Sequence, residues 1–185
     1  NKLKIVGHFA YDNLFKSYSK RHETIRIISD KYELSNVKKN IIISLPQFSE
    51  HGLMTVEKHI NEIIFIISSI SKTNENILIS LHPKQDLNKY IFLEKKFNCK
   101  ILNERLMDVL PVADVFISSY SSTAIWSVIC GVKTLIMDFY GFNSSIFDDF
   151  NSITFIKNKE DFKSGVNSLL KKKIDFSSDW ESLSR

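Results

Sequence analysis

Three short polar stretches carry the residues that could do chemistry. His82-Pro83-Lys84 puts an imidazole and an ammonium on either side of a ring that fixes the backbone. Ser118 to Thr123 gathers hydroxyls at the end of the apolar run Val115-Phe116-Ile117. "PQFSEHG", residues 46–52, adds Gln47 and His51. An imidazole can donate a hydrogen bond to a leaving phosphate or act as acid or base, and an ammonium adds positive charge beside a phosphate. Serines that open a helix have two readings. They can cap it by accepting backbone N–H groups of the first turn. They can also help hold an anion, because free N–H groups and the helix dipole converge there. On the residues alone both readings stand. A lone His82 is as readily a loop or core histidine as a catalytic one.

The elements that must position these stretches alternate along the chain. "NIIISL" (40–45), "NILISL" (76–81), "CKIL" (99–102), "DVFIS" (114–118), "KTLIMDF" (133–139) and "SITFI" (152–156) are short apolar runs. Apolar runs without polar alternation predict strands buried on both faces. Between them, residues 55–70 place Val56, Ile60, Ile63, Ile64, Ile67 and Ile70 at helical spacing. Residues 86–97 read as a helix started by Asp86, 105–113 as a short helical piece broken near Pro111, 122–130 as a helix stopped by Gly131, and 159–173 as a last helix. This βαβα order predicts an α/β fold, a Rossmann-like three-layer sandwich with a mostly parallel sheet and right-handed crossovers. Ligands in such sheets bind beyond the carboxyl ends of the strands, where strand order switches. Residues 46–52, 82–84, 119–123 and 140–145 all follow strands, so these four loops should open on one rim.

Bulk composition excludes several classes. At 185 residues and 43% hydrophobic, the chain suits one domain or one lobe, with a real core. It begins at Asn1 and reads as a fragment or processed product, with no signal peptide at its start. The longest apolar stretch, 63–70, is too short to cross a bilayer. Cys99 and Cys130 lie in apolar segments without metal or CxxC spacing, as reduced core thiols of a cytoplasmic protein would. No metal site is expected from the five histidines. The charge of +4 is scattered, and "KKK" (171–173) closes a helix, so nucleic-acid binding is not expected. The serine tract is not a Walker loop, and no GxGxxG occurs.

Four pieces of the chain resemble the C-terminal, nucleotide-binding lobe of GT-B glycosyltransferases and of the related UDP-N-acetylglucosamine 2-epimerases. "VGHFAYDNL" (6–14) resembles the crossing between the two lobes; Gly7 and Asp12 match, while His8 and Phe9 depart. "SLPQFSEHG" (44–52) resembles the first loop of that lobe, without the His-Arg-Glu-Asn signature of the epimerases. "LHPK" (81–84) resembles the His-Pro motif of bacterial sialyltransferases, polyol-phosphate polymerases and capsule enzymes. Residues 110–136 resemble the stretch that carries the paired serines; Trp126 stands where an acidic ribose-binding residue would fall.

The resemblance implies a division into a crossing segment (1–14), a nucleotide-binding domain (15–174) and a tail (175–185) whose Phe176 and Trp180 would dock on a missing acceptor lobe. It implies a nucleotide-sugar or nucleotide-polyol donor and no other cofactor. His82 would be catalytic. Gln47, His51, Pro83, Lys84, Ser119, Ser121, Ser122 and Thr123 would bind the donor, with His82, Ser121 and Ser122 on its phosphate. The activity implied is transfer of the donor's group in building a bacterial surface polysaccharide. The whole protein would lie in the cytoplasm or associate peripherally with the inner face of the membrane. An epimerase-like enzyme and a non-catalytic module are the alternatives.

Overall fold

The computed structural model describes residues 9–141 and 147–183. Gly7 and His8 of the expected crossing, and most of the loop after residue 141, lie outside the described residues.

The apolar runs form strands as their composition requires. They are β1 (Asn40–Ser44), β2 (Asn76–Ser80), β3 (Lys100–Leu102), β4 (Val115–Ser118), β5 (Lys133–Met137) and β6 (Ile153–Ile156). The described residues form one six-stranded sheet in the order β3-β2-β1-β4-β5-β6, and every pairing is parallel. Both faces are covered, which is why polar alternation is absent. Ile41 and Ile43 belong to one core layer while Ile42 belongs to the other. The first layer packs α3 (Val56–Ser71), α4 (Phe92–Lys96) and α7 (Phe162–Lys171) against the sheet. The second packs α1 (Phe9–Ser19), α2 (Arg21–Tyr32) and α5 (Leu106–Val109), and α6 (Thr123–Ile129) lies on the same side with Ala124 and Val128 on Ile136. A shorter helix, α8 (Ser177–Leu183), follows. Among the described residues no helix is long and apolar enough to cross a membrane. Cys99 and Cys130 are both buried and unpaired, and burial pushes each thiol up to about 12.

Three differences from the sequence reading have physical causes. Residues 9–32, where the pattern predicts no element, form α1 and α2; Asp12 lies in the first turn of α1 and Leu14 is fully buried. The helix expected over 86–97 is broken into a 3-10 turn, Leu87–Lys89, and α4. The break falls where Tyr90 turns inward and is buried. Asp86 still caps the turn, accepting the Asn88 N–H. The tail, read from sequence only as a contact for another lobe, also packs on this one. Asp179 is fully buried and its carboxylate accepts the N–H groups of Asn151 and Ser152, both at 2.8 Å. The Trp180 indole N–H donates to the Val128 carbonyl near the end of α6, and its ring lies beside Gly131. Gly131 adopts φ +63°, the left-handed conformation that lets the chain leave α6.

Candidate functional site

Strand order reverses between β1 and β4, so the loops after them diverge and leave a crevice. The loop after β1 is a compact turn. His51 N–H donates to Gln47 O, Leu53 N–H to Phe48 O, and Gly52 takes φ +69°. Buried Phe48 anchors it against the rings of His59 and Tyr140. On its outer side His51 Nε2 lies 3.0 Å from Gln47 Oε1.

The turn after β2 fixes His82. Gln85 N–H closes the turn on His82 O. The Lys84 N–H donates to His82 Nδ1 at 3.1 Å. Nδ1 is therefore an acceptor, and the neutral ring carries its proton on Nε2, where it can be donated to a ligand. Gln85 ties this turn to the previous one. Its Oε1 accepts the His82 N–H at 2.8 Å, and its Nε2 donates to the Pro46 carbonyl and to Tyr90 Oη.

The serine tract resolves into separate tasks. Ser118 and Ser119 are buried at the end of β4. Ser121 Oγ accepts from the Thr123 N–H at 3.2 Å and from the Thr123 hydroxyl at 2.8 Å, and Ser121 O accepts the Ala124 N–H. Ser121 therefore caps α6. Ser122 makes no side-chain capping bond and is exposed.

Two cavities open at this edge among the described residues. One, of about 660 Å³, gathers Gln47, Glu50, His51, Lys84 and Ser119. The other, of about 770 Å³, gathers Pro83, Ser122 and Thr123 with Trp126 and the segment from Leu102 to Met107. Ser44, His82 and Ser121 line both. His82 and the eight residues expected to bind the donor thus lie on one or both cavities, and His82 and Ser121 stand where they meet; Tyr140 and Gly141, the described start of the fourth loop, line neither.

The structure adds residues that spacing along the chain cannot reveal. Tyr90 is the centre of a buried cluster. Its hydroxyl lies 2.8 Å from His59 Nε2 and 3.2 Å from Gln85 Nε2, and it donates to Glu50 Oε1 at 3.0 Å. With the phenol proton directed to Glu50, His59 Nε2 must be the donor to Tyr90. Its Nδ1 has no hydrogen-bond partner among the described residues. Burial lowers the His59 pKa, Glu50 pulling the other way and Lys89 adding to the lowering, which favours the neutral ring. Burial works against the Glu50 charge, but hydrogen bonds from its own backbone, Ser49 and Tyr90, with His59 nearby, hold its pKa below the ordinary value. Burial and then Glu50 raise the Tyr90 phenol. On the second cavity, Glu104 accepts from Lys31 Nζ at 2.5 Å and from Tyr32 Oη at 2.7 Å. Its pKa is lowered: burial opposes the charge, and the bonds from Lys31 and Tyr32 outweigh it. Among the described residues no three His, Cys, Asp or Glu side chains gather as metal ligands do.

A parallel six-stranded sheet in this order, with its cavities at the switch, defines a Rossmann-like α/β lobe. More narrowly, the fold is that of a lobe of the GT-B type. The UDP-GlcNAc 2-epimerase of Methanocaldococcus jannaschii, solved with UDP-GlcNAc and UDP, superimposes with a TM-score of 0.65 at 16% identity, over 100% of this chain and 54% of that one. The wall teichoic acid polymerase TagF gives 0.57 at 12% identity, over 91% and 46%. The Escherichia coli ADP-heptose lipopolysaccharide heptosyltransferase II gives 0.52 at 10%, over 80% and 51%. The chain spans about half the length of these structures. No family model matches the sequence, and no curated protein matches it.

Proposed function

We propose that this chain is the donor-binding lobe of a GT-B-type glycosyltransferase, the acceptor being held by a second lobe. One observation carries the reading: a histidine with its proton on Nε2 and a serine hydroxyl stand at the junction of two cavities at the strand-order switch. In this reading the nucleoside occupies the cavity walled by Trp126, whose ring offers a base a stacking face, with Glu104 accepting from sugar hydroxyls. The phosphate lies at the junction, against His82, Ser121, Ser122 and Lys84. The group to be transferred lies in the other cavity, facing the acceptor. As its bond to the nucleotide breaks, negative charge grows on the departing phosphate. His82 Nε2–H and the serine hydroxyls donate to those oxygens, and the Lys84 ammonium offsets their charge. Fixed donors of this kind contribute on the order of a hundredfold each to rate.

Support for a nucleotide-linked donor comes from the neighbours: the epimerase holds UDP-GlcNAc and UDP, and a TagF variant was soaked with CDP-glycerol. The His-Pro and paired-serine resemblance favours cytidine-linked donors and the assembly of a bacterial surface polysaccharide, by a protein that works in the cytoplasm or at the inner membrane face. Titration of the intact protein with CMP, CDP and UDP, repeated on His82→Ala and on Ser121→Ala/Ser122→Ala, tests it. Micromolar binding of one nucleotide, weakened in both variants, is expected; no binding of any by folded protein would refute the reading. The epimerase likeness supports a second reading, epimerisation of a UDP-sugar, and product analysis after incubation with UDP-GlcNAc decides between them. Open cavities at the rim weigh against a non-catalytic module.

A further inference from the structure

Glu50 does not belong to the phosphate junction. It lines only the cavity on the far side of His82 from Trp126. Its carboxylate is held from behind: Tyr90 donates to Oε1 and Ser49 Oγ donates to Oε2, both at 3.0 Å. Tyr90 is itself held by His59 and Gln85. The side chain remains a quarter exposed, at the cavity. A carboxylate offers about four acceptor positions and no donor. Positions beyond those taken by Ser49, Tyr90 and its own backbone N–H are left to hydroxyls, and the charge repels another anion.

The other walls decide what a ligand there must look like. Leu45, Phe48 and Leu53 give an apolar side, while Gln47 and His51 are joined to each other. Lys84 is the cation of this wall, and next to His82 it is matched by the phosphate of a bound donor. Among the described residues of this wall, that leaves Glu50 as the charge facing the rest of the ligand.

We propose that Glu50 selects the donor's transferred group: it accepts hydrogen bonds from the hydroxyls of a neutral sugar or polyol and rejects a group that carries its own carboxylate. The proposal rests on the donor-lobe reading and narrows it to a substrate class. Like charges brought together in a binding site are disfavoured, and a separation of at least tenfold in affinity is expected.

The test refers each donor to its own bare nucleotide. Calorimetric titration of the intact protein compares UDP-glucose with UDP-glucuronic acid, each relative to UDP, and in a second series CDP-glycerol relative to CDP with CMP-sialic acid relative to CMP. In the series whose bare nucleotide binds, the neutral donor should bind at least tenfold more tightly than the carboxylated one. Glu50→Gln, confirmed folded by thermal melting, should shrink that ratio to about threefold or less. Equal or tighter binding of the carboxylated donor by the wild type overturns the proposal, as does a ratio that Glu50→Gln leaves intact. If Glu50→Gln does not fold, the wild-type ratio decides alone. Binding of bare nucleotide without discrimination sinks this proposal and spares the donor-lobe reading; no binding in either series ends both.

Discussion

The two ends of the sheet are both polar, and they use their polar groups differently. At the amino end almost every such group is taken up by structure. Asn76 accepts from the Ser35 N–H and donates to Ser35 O and to Asn40 Oδ1. Asp114 accepts the Asn40 N–H, and Asp179 takes the two N–H groups that lead into β6. Lys39 and Lys133 both donate to the last carbonyls of α7, where cations also oppose the helix dipole. At the carboxyl end, His82 Nε2, the Lys84 ammonium and the Ser122 hydroxyl have no hydrogen-bond partner among the described residues and border open cavities. Polarity at a strand end is therefore not the mark of a site. Donors held by the backbone but left without a partner, beside a space, are.

That contrast predicts which substitutions move stability and which move binding. The largest effect should come from Asp179→Ala, which strands two N–H groups, that of Ser152 in a buried residue. A loss of about 3 kcal/mol is expected, with a fall in melting temperature of roughly 10 °C and nucleotide affinity within twofold of wild type. A large loss of affinity would break the contrast. Next is His82→Ala: about tenfold weaker nucleotide binding, or roughly 1.4 kcal/mol, with the melting temperature within about 2 °C. Ser121→Ala sharpens the comparison, because that residue does both jobs. Losing its cap should cost about 1 kcal/mol by denaturant titration, with a several-fold loss of affinity alongside.

The smallest effect is in pH. The folded His59 pKa lies below 6.5, so the folded state binds this proton less readily than the unfolded chain. Stability is then complete above 6.5 and falls as pH drops from there toward the depressed folded value, below which the loss levels off. Glu50 acts in the same direction, but only below its ordinary 4.5. Melting temperatures from pH 7.5 to 5 should decline, and His59→Gln should flatten that slope; a rise on acidification would contradict the neutral assignment of His59.

What was legible in the chain follows from what each signal depends on. The strands were legible because burial on both faces demands unbroken apolar runs such as Ile41-Ile42-Ile43. Helix α3 was legible through its apolar stripe alone; the structure adds the Thr55 cap, which accepts the Lys58 N–H. Helices α1 and α2 were not, since they bury few residues, among them Leu14, Ile28 and Tyr32, and leave other apolar ones such as Phe15 and Ile27 exposed, so no clean apolar stripe shows. Residues at the strand ends could be named individually because topology alone places them on the rim. Glu50, His59, Gln85 and Tyr90 could not, because their meaning lies in contacts between segments far apart in sequence. Tyr90 lay inside the stretch expected as one helix, and that stretch breaks where it turns inward. Trp126 stood out as a departure at a position where an acid was anticipated, and only the structure shows its ring on a cavity wall.

The Gln85 amide has a mechanical consequence. Because one side chain grips both the His82 N–H and the Pro46 carbonyl, the turns after β1 and β2 cannot swing independently. They make a stiff jaw rather than a pair of flaps. A ligand seated there meets a surface already set, and any movement that shuts out water has to be made by whatever faces that jaw from across the cleft.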